Sequence, residues 1–256
     1  MDSTPTEKCI IALGPWLDSA AGAYLRAWEE QQFDALTADI FGFNAMQIGL
    51  PQINALRANR MANKWLADTS LPDGASRIPP VSVVHDLGEL PYASQSMDLV
   101  VLPHVLEFSR EPHQVLRDVE RVLRPEGQLI ICGFNPASLW GARQMLGRVS
   151  GSDFLPRDGE FISMPRLKDW LKLLNMEVSH GQFGCYVPPC RTDKWLQRFS
   201  FMEKAGARWW PYLGAVYTVQ AIKRVKGMRL IGPVWRGQTA NAPKAVPATN
   251  KIRRIK

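Results

Sequence analysis

Residues 86–108 read DLGELPYASQSMDLVVLPHVLEF, and the chain continues SREPHQVLRDVERVLRPEGQLIICGFNP to residue 136. The run Leu99–Leu102 is apolar without alternation, as a strand covered on both faces should be. Upstream, Val81–His85 reads as a second β-branched strand. Downstream, Val115, Leu116, Val119, Val122 and Leu123 share one helical face, and Pro112 suits the first turn, where its missing N–H is not needed. RPEG ends that helix with Pro125 and Gly127, and Leu129–Gly133 is the next strand. Strand, strand, helix, strand in this order points to an α/β fold with a mostly parallel sheet.

Working outward, Phe43–Ile48 is a buried strand that runs into Gly49. Residues 16–40 place Leu17, Ala21, Tyr24, Leu25, Trp28, Phe33, Leu36 and Ile40 at helical spacing, enough for one or two amphipathic helices. Residues 55–68 read either as one helix or as a turn followed by a strand at Lys64–Asp68. Residues 70–80 are a loop. Asn135-Pro136 opens a further helix through about Arg148, a loop follows over 149–162, and Ser163 caps MPRLKDWLKLLN. Strands near Glu177–His180 and over 215–222 close the body. Ligands in such sheets sit beyond the carboxyl ends of the strands, so Gly49, Asp86 and Pro103 are expected round one crevice.

The chain has 256 residues, 46% apolar and 21% charged, which suits an ordinary globular protein. Cys9, Cys132, Cys185 and Cys190 form no C-x-x-C pair, and no His cluster completes a zinc pattern. Free thiols in a reducing cytoplasm are expected. The N-terminus shows no secretory pattern, and no apolar run approaches the ~20 residues of a membrane helix. Ten Lys or Arg and no acid fall between Lys223 and Lys256; taking those from the net +7 leaves −3 for residues 1–222. The expected organisation is a body over 1–222, comprising N-terminal helices at 16–40, a core at 43–180 and a closing segment at 181–222. A basic tail follows over 223–256, disordered from about 237. Such a tail attracts RNA, DNA or an anionic surface weakly, or serves only for solubility.

Residues 86–133 resemble the class I S-adenosylmethionine-dependent methyltransferases, of the type 11 group. In that group a strand ends in an acid (here Asp86), followed by a Leu-Pro-aromatic turn (Leu90-Pro91-Tyr92) and Ser-x-Asp (Ser96-Met97-Asp98). A strand then leads to a helix ending in RVL-x-P-x-G (Arg121–Gly127) and a further strand. SMPRLKDWLKLLNMEV at 163–178 resembles the group's next helix and sixth strand. The match covers about 43–180, with a looser extension to 222. It implies a Rossmann-like three-layer fold, S-adenosylmethionine as cofactor and methyl transfer to an acceptor that the sequence does not identify. The first-strand motif departs from the group. Acid-x-Gly-x-Gly-x-Gly is replaced by Gln47-Ile48-Gly49-Leu50-Pro51, and the span from Gly49 to Asp86 is too short for two full helices and the second strand. A compressed variant is expected, with the helix after the first strand largely lost. The same short motif resembles a bacterial subgroup of methyltransferase-like proteins.

The resemblance assigns roles to particular residues. Gly49 lets the backbone approach the methionine end of the cofactor, or simply ends a strand in a turn. Gln47 bonds the cofactor's amino group or a water, or else serves the loop. Asp68, nineteen residues after Gly49, stands near the ~20-residue offset of a ribose-binding acid, or is a solvated loop acid. Asp86 accepts from the adenine amino group with Leu87 lining the ring, or caps the turn. Pro103 and His104 follow the fourth strand, where the sulfonium and acceptor meet, and His104 is the candidate general base or a structural residue. Adenine and ribose contacts are expected to hold better than the methionine end. Asp98, at the start of its strand, is expected to be structural, and Asn135-Pro136 a helix start. Aromatic residues between 138 and 162 and between 184 and 214 line an acceptor pocket or pack on the body. A non-catalytic relative with a decayed cofactor loop is the alternative to an enzyme, and an RNA-modifying enzyme recruited by the tail is a narrower version. A nicotinamide dehydrogenase is disfavoured, because no G-x-G-x-x-G is present.

Overall fold

The computed structural model describes residues 13–69, 82–85, 87, 89–151, 153–156, 159–190 and 192–225. Asp86 and the tail beyond Val225 lie outside the described residues, so the expected adenine contact and the expected disorder from 237 do too.

A helical stretch at 13–17 precedes α1 (Ala20–Thr37), whose N-cap Ser19 accepts from Gly22 N at 3.1 Å. The core alternates strands and helices: β1 (Asn44–Ile48), β2 (Asn63–Asp68), β3 (Val83–Val84), β4 (Met97–Pro103), α2 (Val105–Phe108), α3 (Pro112–Val122) and β5 (Leu123–Phe134). Then come α4 (Leu139–Ser150), α5 (Met164–Leu173), β6 (Met176–Gly184), α6 (Asp193–Arg198), α7 (Phe201–Trp209), a 3₁₀ turn at Pro211–Leu213 and β7 (Val216–Lys223). The seven strands form one sheet in the order β3-β2-β1-β4-β5-β7-β6. The pairs from β3 through β5 are parallel, and β7 runs antiparallel to both β5 and β6. The order reverses between β1 and β4, which is the switch point where such sheets bind ligands.

No helix forms between β1 and β2: residues 49–62 are turns, and Leu50, Pro51, Ile53, Ala55 and Leu56 are buried in them. The compressed variant is therefore what the chain adopts. Of the two readings of residues 55–68, the turn and strand is the observed one, with β2 starting one residue before Lys64. RPEG differs from expectation. α3 ends at Val122, and β5 begins at once at Leu123, with Arg124–Gly127 as a bulge between the Met97–Leu123 and Leu99–Gln128 pairings. Glu126 takes φ +64° there, the left-handed conformation such irregularities need. Ser163 holds the N-cap position of α5, but its side chain makes no capping bond.

The body extends past residue 222. Lys223 is the last residue of β7 and is buried, with Nζ on the carbonyls of Glu120 and Leu123 and on the Glu120 carboxylate at 2.9 Å. Arg224 pairs with Glu126 and Glu177. Both cations were assigned to the tail by sequence, and their partners place them in the body. The first compact unit accordingly spans Met1–Val225. Among the described residues, no helix is long and apolar enough to cross a membrane.

Candidate active site at the strand ends

Parallel register brings the carboxyl ends of β1, β2 and β4 together. Ile48 pairs with Ala67, Asp68 with Val84, and Gln47 with both Leu66 and Val101. Gly49, Asp68 and Pro103 therefore stand at one sheet edge.

Gly49 has φ +76°, a left-handed conformation, and its N–H donates to Ala67 O at 2.7 Å. A Cβ on it would meet Val105 Cγ2 at 3.0 Å. Beyond Gly49 the loop folds back on Gln47. The Gln47 amide donates to the carbonyls of Gly49, Leu50 and Ile53, and its Oε1 accepts from Ala55 N at 3.0 Å. The expected contact from Gln47 to the cofactor is thus replaced by a structural one, because both ends of the amide are spent on the loop. A buried amide must find partners within the protein, and four backbone groups supply them. The amide does the work of the helix that the loop has lost.

The Asp68 side of the edge differs. Asp68 ends β2, largely buried, with its carboxylate accepting from Thr69 N at 2.8 Å. Burial raises its pKa above the ordinary carboxylate value, against the pull of Thr69 and His85. Thr69 Oγ1 and Tyr92 Oη are buried without a hydrogen-bond partner. Leu87 is buried, and the Tyr92 ring meets the His85 ring edge-on at 6.1 Å. Unsatisfied buried hydroxyls are uncommon in native structures. Thr69 follows directly on Asp68, and Tyr92 packs on His85, the residue after β3.

His104 follows β4 at φ +54°. It is fully buried, its ring lies 4.3 Å from that of Phe134, and both nitrogens face carboxylates: Nδ1 at 2.8 Å from Glu107 Oε2 and Nε2 at 2.6 Å from Glu29 Oε1. Cys132 Sγ donates to the same Glu29 oxygen at 3.2 Å, Glu107 Oε1 accepts from Phe134 N, and Glu29 Oε2 has no partner. Burial pushes the imidazole down, but the Glu29 carboxylate, then Cys132 and Glu107, hold it well above its usual value. Burial drives Glu107 above the carboxylate range and the Cys132 thiol far up. In this arrangement His104 is a protonated bridge between two carboxylates, with neither nitrogen open to an acceptor.

Asp98 marks the opposite end of β4 and is structural, as expected. It accepts from Phe43 N and Asn44 N at 2.8 and 2.9 Å and pairs with Arg124 at 3.0 Å. The Asn135 side chain holds the carbonyls of Tyr212 and Gly214 and accepts from Ala137 N, so Asn135-Pro136 is a turn. The aromatic residues divide. Trp140 and Phe154 are buried and meet Trp16 edge-on, which is packing. Phe161 leans on Phe134 at 5.3 Å and lines a pocket of about 200 Å³ with Pro136, Gly141, Gln144 and Met145. Trp195, Trp209, Trp210 and Tyr212 are exposed.

Glu29 was missed by the sequence reading. Leu25, Glu29 and Phe33 fall at i, i+4 and i+8 on the buried face of α1. An acid on an apolar stripe was the available signal.

Comparison with known proteins agrees with this geometry. Residues 56–131 match the family model described as a methyltransferase domain. The chain is 29% identical over 252 residues to the uncharacterized protein YafS of Escherichia coli, covering 96% of each. It is 33% identical over 120 residues to the malonyl-[acyl-carrier protein] O-methyltransferase of Laribacter hongkongensis, covering 45% of this chain and 37% of that one. Among solved structures, a chain from the complex of the Haloferax volcanii Trm112 methyltransferase activator with a methyltransferase superposes at a TM-score of 0.59. It shares 14% identity over 85% of this chain and 98% of that one. An S-adenosylmethionine-dependent methyltransferase from Archaeoglobus fulgidus superposes at 0.52, with 15% identity over 77% and 94%. Residues 56–131 thus match a methyltransferase domain, and the sheet with its switch point is the fold of the superposed methyltransferase structures.

Proposed function

We propose that the edge formed by Gly49, Asp68 and Pro103 holds S-adenosylmethionine, with the adenosine end at Asp68, Thr69, Leu87 and Asp86. The observation that carries this reading is the buried Asp68 carboxylate at the end of β2, which the parallel register brings to the same edge as Gly49 and Pro103. Asp68 suits a ribose diol because a carboxylate accepts two hydrogen bonds. When bound, the cofactor supplies a methyl group already activated on a sulfonium.

This chain's residues then have to place an acceptor in line and receive its proton; positioning supplies most of the effect. We assign the acceptor to the pocket beside Phe161, whose ring packs on Phe134, which in turn packs on the His104 ring. His104 takes the acceptor's proton on Nε2, and Glu107 holds Nδ1. Nε2 opens when α1 withdraws with Glu29, whose carboxylate carries off the proton that Nε2 holds in the closed arrangement. Without the Glu29 charge, burial favours the neutral imidazole, which is the form able to accept a proton. α1 is therefore the cover of the site.

Calorimetric titration with S-adenosylmethionine and S-adenosylhomocysteine tests the reading, repeated on Asp68→Ala and Asp86→Ala. Saturable one-to-one binding, weakened by both substitutions, is expected. A folded protein that gives no heat and no thermal stabilisation at millimolar ligand refutes it.

A further inference from the structure

The segment from Lys194 to Leu213 covers part of the carboxyl side of the sheet and leaves its largest apolar side chains in solvent. Leu196 and Gly206 face inward, Gly206 against the Tyr186 ring. Outward stand Trp195, Phe201, Trp209 (70% exposed), Trp210 and Tyr212 (73% exposed). Interleaved with them are Lys194, Arg198, Lys204 and Arg208, all exposed. The segment's acid, Glu203, is turned inward, accepting from Cys185 N and Tyr186 N at 3.1 and 2.7 Å. The result is a ledge of indole, phenyl and phenol rings carrying positive charge.

We propose that this ledge docks the enzyme on an anionic membrane surface. Short helices with Lys and Arg among Trp and Phe lie in the headgroup region, their rings in the acyl boundary and their cations on anionic lipid. Trp and Tyr are the residues that settle at that boundary. A single-stranded nucleic acid stacks on open ring faces, and of these rings Trp195 is already taken, stacked on Phe199 at 5.8 Å with the Arg198 guanidinium 5.5 Å over it. Charge complementarity extends beyond the ledge, since the sequence after Val225 adds eight Lys or Arg and no acid. The ledge joins the crevice side of the sheet. Asn135, which follows β5, bonds the Tyr212 and Gly214 carbonyls, and Val216 pairs with Phe134 at the same strand end.

The test is flotation of the full chain with vesicles of phosphatidylcholine alone and of phosphatidylcholine with phosphatidylglycerol, at physiological ionic strength. Binding to the anionic vesicles is expected, falling roughly tenfold in a Trp209→Ser/Trp210→Ser variant with an unchanged melting temperature. Should that variant unfold, Phe201→Ser replaces it with the same expectation. Three results overturn the proposal: no binding to anionic vesicles, equal binding of the tryptophan variant, or binding of a single-stranded RNA that depends on the tryptophans while vesicles are ignored.

Discussion

His104 Nε2 and Glu29 Oε1 lie 2.6 Å apart, fully buried, although 75 residues separate them in the chain. The contact fastens α1 to the carboxyl end of β4, at the sheet edge that also carries Gly49 and Asp68. Breaking a buried pair strands a charge, which costs about 3–5 kcal/mol. Glu29→Gln is expected to lose that order of stability in urea unfolding. The same variant is expected to open α1, seen as faster hydrogen exchange over Ala20–Thr37 than over β4.

The pH dependence follows from the same contact. The folded-state value of His104 lies well above its ordinary 6.5. Its contribution to stability is thus fully present below about pH 6.5 and is lost as pH rises through the folded value. Unfolding measured across this range should show stability falling on the alkaline side in the wild type, and a flatter profile in Glu29→Gln. A wild-type profile that rises there would contradict the protonated bridge.

Asp98 supplies a control at the far end of β4. Two backbone N–H groups and Arg124 hold its carboxyl below the ordinary value in spite of burial. Its stabilisation is present above about pH 3.8 and is lost as pH falls through the lower folded value. Asp98→Ala is expected to cost about 1.5–3 kcal/mol, the range for hydrogen bonds to a charged group. Cofactor titration of the refolded variant should match the wild type, since Asp98 is remote from the crevice.

Gly49→Ala tests the surviving glycine. At φ +76° an added Cβ costs roughly 1–2 kcal/mol by itself. It also meets Val105 Cγ2 at 3.0 Å, so the side chain after His104 must shift. Lower stability and weaker binding of S-adenosylhomocysteine are expected together. Asp68→Asn should instead weaken binding by about tenfold or more, the worth of a charged hydrogen bond, with little change in melting temperature.

The alternation of strands and helices was legible because β4, α3 and the second half of β5, from Leu129, each present one unbroken apolar pattern. β2 was less so: its first residues, Asn63 and Lys64, are exposed, and its pattern becomes apolar only toward Ala67. The bulge at Arg124–Gly127 was unreadable, since Pro and Gly end a helix and interrupt a strand with the same residues. At the site, Gly49 and Pro103 came together as the strand order implied, Asp86 lies outside the described residues, and Asp68 joins them because β2 pairs beside β1. The fate of Gln47 and His104 depended on partners remote in sequence or on loop geometry. Gln47 is satisfied by a loop that folds back to Ala55, and His104 by Glu29 on a helix the motif does not include. A side chain's chemistry can be read from its type, but its availability is set by what covers it.

β7 is the final strand of the body, yet it lies between β5 and β6. During synthesis, β5 therefore leaves the ribosome with one edge unpaired and waits for some eighty residues before Val216–Lys223 arrives to fill the gap. An open edge of that kind invites pairing with other chains. The newborn protein passes through an aggregation-prone interval that ends only when Lys223 emerges, and a ribosome that stops short of that codon releases a chain unable to close its sheet.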